Sequence, residues 1–470
     1  MTTKPILLQL NNALRQLLRR TEVDRAVLFG ILTRIWGIAA GPVTAILIAT
    51  KFSPELQGYY FTFASLLALQ VFVELGLGTV IIQFASHEWS KLGINNAGQI
   101  VGDGIALSRL VSLAGIASKW YLAGSVIITL GLGIGGYFFF SQGPDSTVNW
   151  VAPWLMLCLL TGITICLVPI WSLLEGCNQV ANVYTYRFIQ GLCMSLSVWL
   201  AILLGADLWT ASVSSVVGLL CAGILLGRRY WKFLKTLLFS RQIGPRIGWR
   251  LEILPMQWRI ALSWLSGYFI FSLFTPILFH YHGPVIAGQM GMTWSLVMAV
   301  SGVSSAWVAP KAPRFGMLIA RREYKELDRL FWRLIIIISI VAGLGAAASW
   351  TLVYILNVLG HPLATRLLPP LPTGLFMLAT FIMTTLLPFS VYLRAHKKEP
   401  LLFISVMGAI LVSISNLILG KYFGATGMAT GYLAVNIVLI PFIVLVWYRC
   451  RAMWHGPVGR ERVAGNITET

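Results

Sequence analysis

The chain has 470 residues, 57% of them hydrophobic and only 11% charged, where a soluble domain carries about 25% charged residues. A mean hydropathy of +0.79 leaves more apolar surface than a fold surrounded by water can hide. The net charge of +19 raises nucleic acid as a partner, but the basic residues collect in alternate connections between apolar runs. That is an orientation signal of membrane proteins and excludes the nucleic-acid reading.

In chain order, segment 1–25 places Leu7, Leu10, Leu14, Leu17 and Leu18 at helical spacing beside Arg15, Arg19 and Arg20. This is the pattern of an amphipathic helix lying on the cytoplasmic membrane surface. Apolar runs follow near 27–50, 58–84, 119–140, 151–174, 180–205 and 208–227, then near 260–280, 285–308, 334–356, 371–393, 401–419 and 427–447. A run of ~20 residues at 1.5 Å rise crosses ~30 Å of hydrocarbon, so each is expected to be one span. The first run is followed directly by a second and lacks a small-residue cleavage site, so it reads as a retained helix. Stretch 78–118 is weaker, because Asp103 and Arg109 interrupt a half-apolar segment suited to an interfacial helix or a helical extension. Pro42, Pro169, Pro276 and Pro388 interrupt spans and mark expected kinks.

The spacing therefore predicts an all-α polytopic membrane protein of about twelve transmembrane helices. With the N-terminus inside, the cytoplasmic side collects Arg15, Arg19, Arg20 and Arg25, the basic stretch Arg228 to Arg259, the connection 311–333, then Arg394, Lys397 and Lys398, and the C-terminal arginines. The opposite side keeps only Lys51, Arg366 and Lys421. Both termini are expected in the cytoplasm, with the chain in a bacterial inner membrane.

A weak internal repeat accompanies this layout. Pro54, Gly58, Ser65 and Leu66 recur as Pro284, Gly288, Ser295 and Leu296 at a constant offset, and Gly205-Ala206 is echoed by Gly424-Ala425. Six spans separate the copies, an even number, so both halves enter the membrane in the same direction. The expected organisation is an N-lobe at 26–228, a basic cytoplasmic linker at 229–258, a C-lobe at 259–448 and a tail at 449–470. The two six-helix lobes are related by a parallel pseudo-two-fold, with the functional site between them.

Ionisable groups inside spans are costly and point to function by default. Arg34 in span one, Glu74 in span two and Arg187 in span five are expected at comparable depth in the first lobe, forming a cationic pocket. There Arg34 and Arg187 present guanidinium forks to a phosphate or pyrophosphate, Glu74 orients one of them, and Gln70, one helical turn earlier, adds a hydrogen bond. A buried Arg and Glu pair that only fixes helix packing, or an Arg34 that snorkels to the headgroups, is the alternative. Glu175 and Asn178 are expected in water, and His280 and His282 flank an external turn. The six cysteines show neither a paired motif nor zinc spacing, so no metal is expected. No phosphate-cradling Gly-Lys loop, zinc-binding helix or nucleophile elbow appears, so neither an enzyme nor a cofactor is expected.

Phe52 to Gly58 leading into an aromatic Ser helix, then Glu74-Leu-Gly-Leu-Gly78, then Ala309-Pro-Lys-Ala-Pro313 with Ala320-Arg-Arg-Glu-Tyr-Lys-Glu-Leu327, resemble the Wzx-type polysaccharide or O-antigen flippases of the multidrug/oligosaccharidyl-lipid/polysaccharide (MOP) exporter superfamily. The family commonly shows Asp-Leu-Gly-Leu-Ser where this chain has Glu74 and Gly78, which leaves the acidic residue's role open between proton coupling, helix bracing and neither. The resemblance implies a MOP/MATE-like V-shaped pair of lobes that flips an undecaprenyl-pyrophosphate-linked oligosaccharide to the periplasmic leaflet by alternating access. A polysaccharide polymerase and a chain-length regulator are the partners it implies. The rival readings are a MATE-type small-molecule antiporter, which favours a membrane-embedded acidic site, and a membrane polymerase or ligase, which would need a larger external loop.

Overall fold

The computed structural model describes residues 25–95, 98–142, 148–239, 244–308, 311–396 and 398–455. The expected surface helix of segment 1–25, most of the tail and the Ala309-Pro310 part of the motif lie outside the described residues. Helix α1 spans Arg25–Lys51 and contains Pro42. Helix α2, Pro54–Leu67, begins with Pro54 in its first turn and with the Ser53 hydroxyl accepting from the Leu56 N–H at 3.2 Å, a start that leaves few orphan donors. The same run continues through a 3-10 turn at Ala68–Gln70 into the short helix α3, Val71–Glu74, and after a break into α4, Leu77–Trp89.

Beyond α4 the weak stretch resolves into two further pieces. An antiparallel hairpin pairs β1, Leu92–Ile94, with β2, Ile100–Gly102, a small strand addition to the helical chain. Helix α5 then runs unbroken over Gly104–Ser141. Its 38 residues make ~57 Å of helix, well beyond ~30 Å of hydrocarbon, so its first turns with Arg109 are a helical extension. Helices α6, Val151–Ile165, and α7, Val168–Gly176, form one interrupted span, and α8, Val180–Leu203, and α9, Trp209–Phe239, follow. A π-helical turn at Trp249–Ile253 leads into α10, Leu254–Phe271, and α11, Phe274–Ser305. After α12, Ala312–Ala320, come α13, Tyr324–Val358, α14, Pro370–Ala395, and α15, Leu402–His455.

Ten helical runs among the described residues are long and apolar enough to cross a membrane, and two of them, of 57 and 54 residues, are far too long for one crossing. Gly283 and Gly424 leave helical geometry inside these runs, with φ of 85° and 59°. Each run is therefore two spans that meet at a single residue, which brings the count to the expected twelve. The short external loops expected at these places are absent because one left-handed glycine reverses the helix unaided. Of the four prolines, Pro42 and Pro388 lie inside helices, while Pro169 and Pro276 stand in the first turns of α7 and α11. Proline has no N–H to lose there.

The chain forms two compact units that interleave along the sequence. One takes the described residues up to Thr44 with Val73–Ile134 and Val151–Trp258, and the other takes Ala45–Phe72, Gly135–Trp150 and the described residues from Arg259 onward. In the second unit α2 crosses α11 at the repeated glycines. A Cβ on Gly58 would overlap the Pro284 backbone carbonyl, and one on Gly288 would sit 2.8 Å from the Gly58 nitrogen, so the backbones touch only because both positions lack side chains. Gln57, 1% exposed, donates to the Gly288 carbonyl at 2.8 Å and to the Arg366 carbonyl at 2.9 Å. Arg366 in turn donates to the Phe52 carbonyl at 2.6 Å. At another end of this unit Phe331, Phe389, Tyr392 and Trp447 form the core where α13, α14 and α15 meet.

In the first unit an ion triad fixes the segment that follows α9. Arg109 donates to Glu88 at 2.8 Å and to Glu252 at 2.7 Å, while the Gly248 N–H donates to Glu252 at 2.8 Å. Ser108 and Ser112, one turn apart on α5, accept from the Gly244 and Ile247 N–H groups. Residues 244–248 are thus a short extended strap laid along α5, while 229–239 and 249–258 of the expected linker are helical.

Candidate functional site

Two broken helices meet in the first unit. The Glu74 to Gly78 motif is the first break: Leu75 and Gly76 take φ of 43° and 68°, a left-handed pair that ends α3 and starts α4. A leucine in that region costs ~1 kcal/mol or more, so the break is imposed by its surroundings. Trp120 donates its indole N–H to the Val73 carbonyl at 2.9 Å, satisfying an acceptor that the break strips of its helical donor. The second break, between α6 and α7, precedes Pro169. The two halves pack together, for a Cβ on Gly78 would stand 3.0 Å from the Ser172 hydroxyl and 4.0 Å from that of Tyr121. Tyr121 is fully buried, and its hydroxyl lacks a hydrogen-bond partner among the described residues.

The last turn of α7 carries Glu175, whose carboxylate lies 2.7 Å from the Arg187 guanidinium. The Glu175 side chain is only 12% exposed, which corrects the expectation that it sits in water. The turn after α7 bends it inward beside α8, while Asn178, left-handed at φ 59°, is the residue exposed there. Arg187 keeps 45% of its side chain exposed and stacks over Tyr184 at 5.9 Å. Its carboxylate partner is therefore Glu175.

Arg34 stands on α1, the neighbour of α8. Phe29 meets Phe188 with centroids 5.8 Å apart, and Trp36 donates to Ser195 at 3.2 Å. Both pairs are 159 residues apart and run the same way, so the helices are parallel and in register. By that register Arg34 is level with Cys193, six residues or ~9 Å of helix beyond Arg187. The two arginines thus share one helix pair at different levels. Arg34 is exposed and forms no ion pair among the described residues. Gly37 and Gly41 follow it on α1, and Gly191 follows Arg187 one turn on; no atom lies within 4 Å of a Cβ built on any of the three. Each arginine is followed by an open stretch of helix.

Gln70 is the last residue of the 3-10 turn. That turn interrupts the α-helical spacing that would stack it one turn below Glu74, and the two residues fall in different units. Sequence reasoning missed Trp120, Tyr121 and Ser172. The usable signals were Leu75-Gly-Leu-Gly78 and Pro169, turn-forming residues in the middle of apolar spans. Among the described residues no group of His, Cys, Asp and Glu is arranged to hold a metal ion.

No family model matches the sequence, and no curated protein matches it either. Solved structures do. The lipid II flippase MurJ in an inward closed conformation aligns over 89% of this chain and 87% of its own, with a TM-score of 0.63 and 15% identity. The MATE multidrug transporter DinF-BH aligns over 91% and 96%, with a TM-score of 0.59 and 15% identity. An inward-facing multidrug resistance MATE family transporter of the MOP superfamily aligns over 91% and 99%, with a TM-score of 0.57 and 13% identity. The fold of this chain is the all-α polytopic membrane fold that these MOP superfamily transporters share.

Proposed function

We propose that this chain is a transporter, not an enzyme, and that it flips a lipid-linked oligosaccharide pyrophosphate from the cytoplasmic to the periplasmic leaflet of the inner membrane by alternating access, for surface polysaccharide assembly. The observation that carries this reading is Arg34: a guanidinium in an apolar 24-residue span, exposed, without a carboxylate among the described residues and followed by the open glycines Gly37 and Gly41. Such a charge does not face hydrocarbon, where it costs several kcal/mol, so it faces a hydrated space. A diphosphate there supplies the missing anion through bidentate contacts, and the open glycine stretches leave room for a bulky head group. Arg187 joins it when Glu175 gives up part of its hold, and Glu74 at the helix break is the candidate coupling residue. Gln70 is the weakest member of this set. The likeness to a lipid II flippase supports the same direction.

A second reading, a small-molecule antiporter of the MATE kind, has an observation of its own: Glu175 offsets Arg187, and Glu74 stands at a break in a span. Carboxylates at such a place suit a cationic cargo. Thermal melts of the purified protein separate the two readings. Farnesyl diphosphate is expected to raise the melting temperature, and Arg34→Ala to remove most of that rise. Stabilisation by the lipophilic cation tetraphenylphosphonium and not by farnesyl diphosphate would reject the flippase in favour of the antiporter. In cells, Arg34→Ala with Arg187→Ala is expected to abolish surface-polysaccharide assembly while the protein still inserts.

A further inference from the structure

A second polar recess belongs to the other unit and shares no residue with the helix pair that carries Arg34 and Arg187. It is small, about 30 Å³, room for about two or three waters or a group of phosphate size. Ser263 on α10, Ser390 and Arg394 on α14, Lys398 and Glu399 in the following connection, and Ser405 on α15 line it. Serines in these spans usually return their O–H to the carbonyl one turn back, as Ser266, Ser304 and Ser413 do at 2.7–2.8 Å. Ser263, Ser390 and Ser405 make no side-chain hydrogen bond among the described residues. Three hydroxyl donors therefore converge on a space bordered by two cations.

The carboxylate present does not neutralise that space. Glu399 approaches Arg394 no closer than 3.6 Å, at Nε, and the two side chains are 48% and 59% exposed, beyond the ~2.7–2.9 Å of a charge-assisted hydrogen bond. Pro400, Leu401 and Leu402, where α15 begins, also line the recess, and the first turn of that helix holds no acidic residue. The positive end of its dipole adds to the cations. An apolar occupant would leave the hydroxyls unpaired. A divalent cation would find a single carboxylate among two positive side chains, too few hard anionic ligands. A tetrahedral oxyanion with several acceptor oxygens satisfies all of the donors. Because the recess opens where two apolar spans end and begin, that oxyanion belongs at the level of lipid headgroups.

We propose that this recess binds the phosphate of a lipid headgroup, held by Arg394, Lys398 and the three serine hydroxyls. Two sources share this chemistry, the bulk anionic phospholipid and a prenyl diphosphate, and the site stands whichever cargo the transporter carries. Thermal melts of the purified full chain in detergent, titrated with dihexanoyl phosphatidylglycerol, with farnesyl diphosphate and with phosphate-free dioctanoylglycerol, test it. At least one phosphate probe is expected to raise the melting temperature, with half-saturation weakened ~tenfold in Arg394→Gln/Lys398→Gln and several-fold in Ser390→Ala/Ser405→Ala. Arg394→Lys with Lys398→Arg is expected to retain most of the response, which separates charge from folding. A response to phosphatidylglycerol assigns the bulk lipid, and one to farnesyl diphosphate alone assigns the diphosphate. No shift with either phosphate probe, equal stabilisation by dioctanoylglycerol, or half-saturation unchanged in both neutralised variants overturns the site. A response removed by Arg34→Ala and untouched by the recess variants overturns it too, while leaving the proposed function standing.

Discussion

An arginine inside an apolar span needs either a carboxylate or water, and the two arginines of the first unit take one each. Arg187 has Glu175 at 2.7 Å, whereas Arg34 is exposed with no ionic partner among the described residues. With the arginine side chain 45% exposed, the pair is screened, so a double-mutant cycle with Arg187→Ala and Glu175→Gln is expected to give a coupling of only ~1 kcal/mol. Equilibrium unfolding in detergent measures it, and additivity of the two single changes would mean that the contact contributes nothing to stability. The sequence marked Arg34, Glu74 and Arg187 because charge in an apolar run is visible without coordinates. Glu175 escaped, since position along a span says nothing about which neighbouring helix a side chain meets. His396, next to Tyr392, was invisible for the same reason. It stacks on Trp454 at 4.3 Å and lies 3.1 Å from His455, and burial holds its imidazole below the ordinary value, with Lys398 acting in the same direction. The folded state therefore prefers the neutral ring, and the unfolded chain binds the extra proton. The stability this group contributes is present above pH ~6.5 and is lost as the pH falls below it. Melting temperatures between pH 7.5 and 5 are expected to drop, and the drop to be smaller in His396→Gln.

Helices in this molecule are joined and divided by single glycines, and the repeated positions show two separate uses. Gly205 and Gly424, echoes of one another in sequence, are both left-handed, with φ of 73° and 59°, and both end a helix. Gly58 and Gly288 instead lie against one another where α2 and α11 cross. Two positions that match at a constant offset in sequence thus touch one another, something that spacing alone does not reveal. Gly58→Val is expected to destabilise this crossing by ~2 kcal/mol or more, because the Pro284 carbonyl is backbone and has no flexible end to move aside. Gly37→Leu gives the opposite outcome. Nothing stands within 4 Å of that position, so the melting temperature is expected to hold while transport falls, as the added side chain occupies the space beside Arg34. Loss of stability in Gly37→Leu would show that the face is packed and closed. The interruptions at Leu75-Gly76 and before Pro169 were only half legible: the turn-forming residues were plain, but the hydrophobic run around them read as continuous helix.

At the scale of the whole molecule, the twelve-span layout was legible because apolar runs of bilayer length are the strongest signal that an amino-acid sequence carries. The hairpin at Leu92–Ile94 with Ile100–Gly102 was not, since strands of three residues are too short to show an alternating pattern, and neither was the strap tied down by Arg109, which depends on contacts between segments far apart in the chain. Orientation is a further matter, resting on charge asymmetry. Arg321, Arg322, Lys325, Arg329 and Arg333 cluster around α12 and the start of α13, whereas the connection between α13 and α14 carries only Arg366 as a permanent cation. Translocating the first group would move several hydrated charges across hydrocarbon and against the membrane potential, so it is expected on the cytoplasmic side. Glu323 and His361 stand at opposite ends of α13, both exposed, and each is suited to a single reporter. In spheroplasts, a membrane-impermeant maleimide is expected to label His361→Cys directly and Glu323→Cys only after the membrane is broken. The unsubstituted chain serves as the blank, because its six thiols lie in or beside spans. The reverse labelling order would place the basic connections outside. It would turn the Arg34 end of α1 toward the periplasm, and a cargo made in the cytoplasm would then have to be received at the other end of the helix bundle.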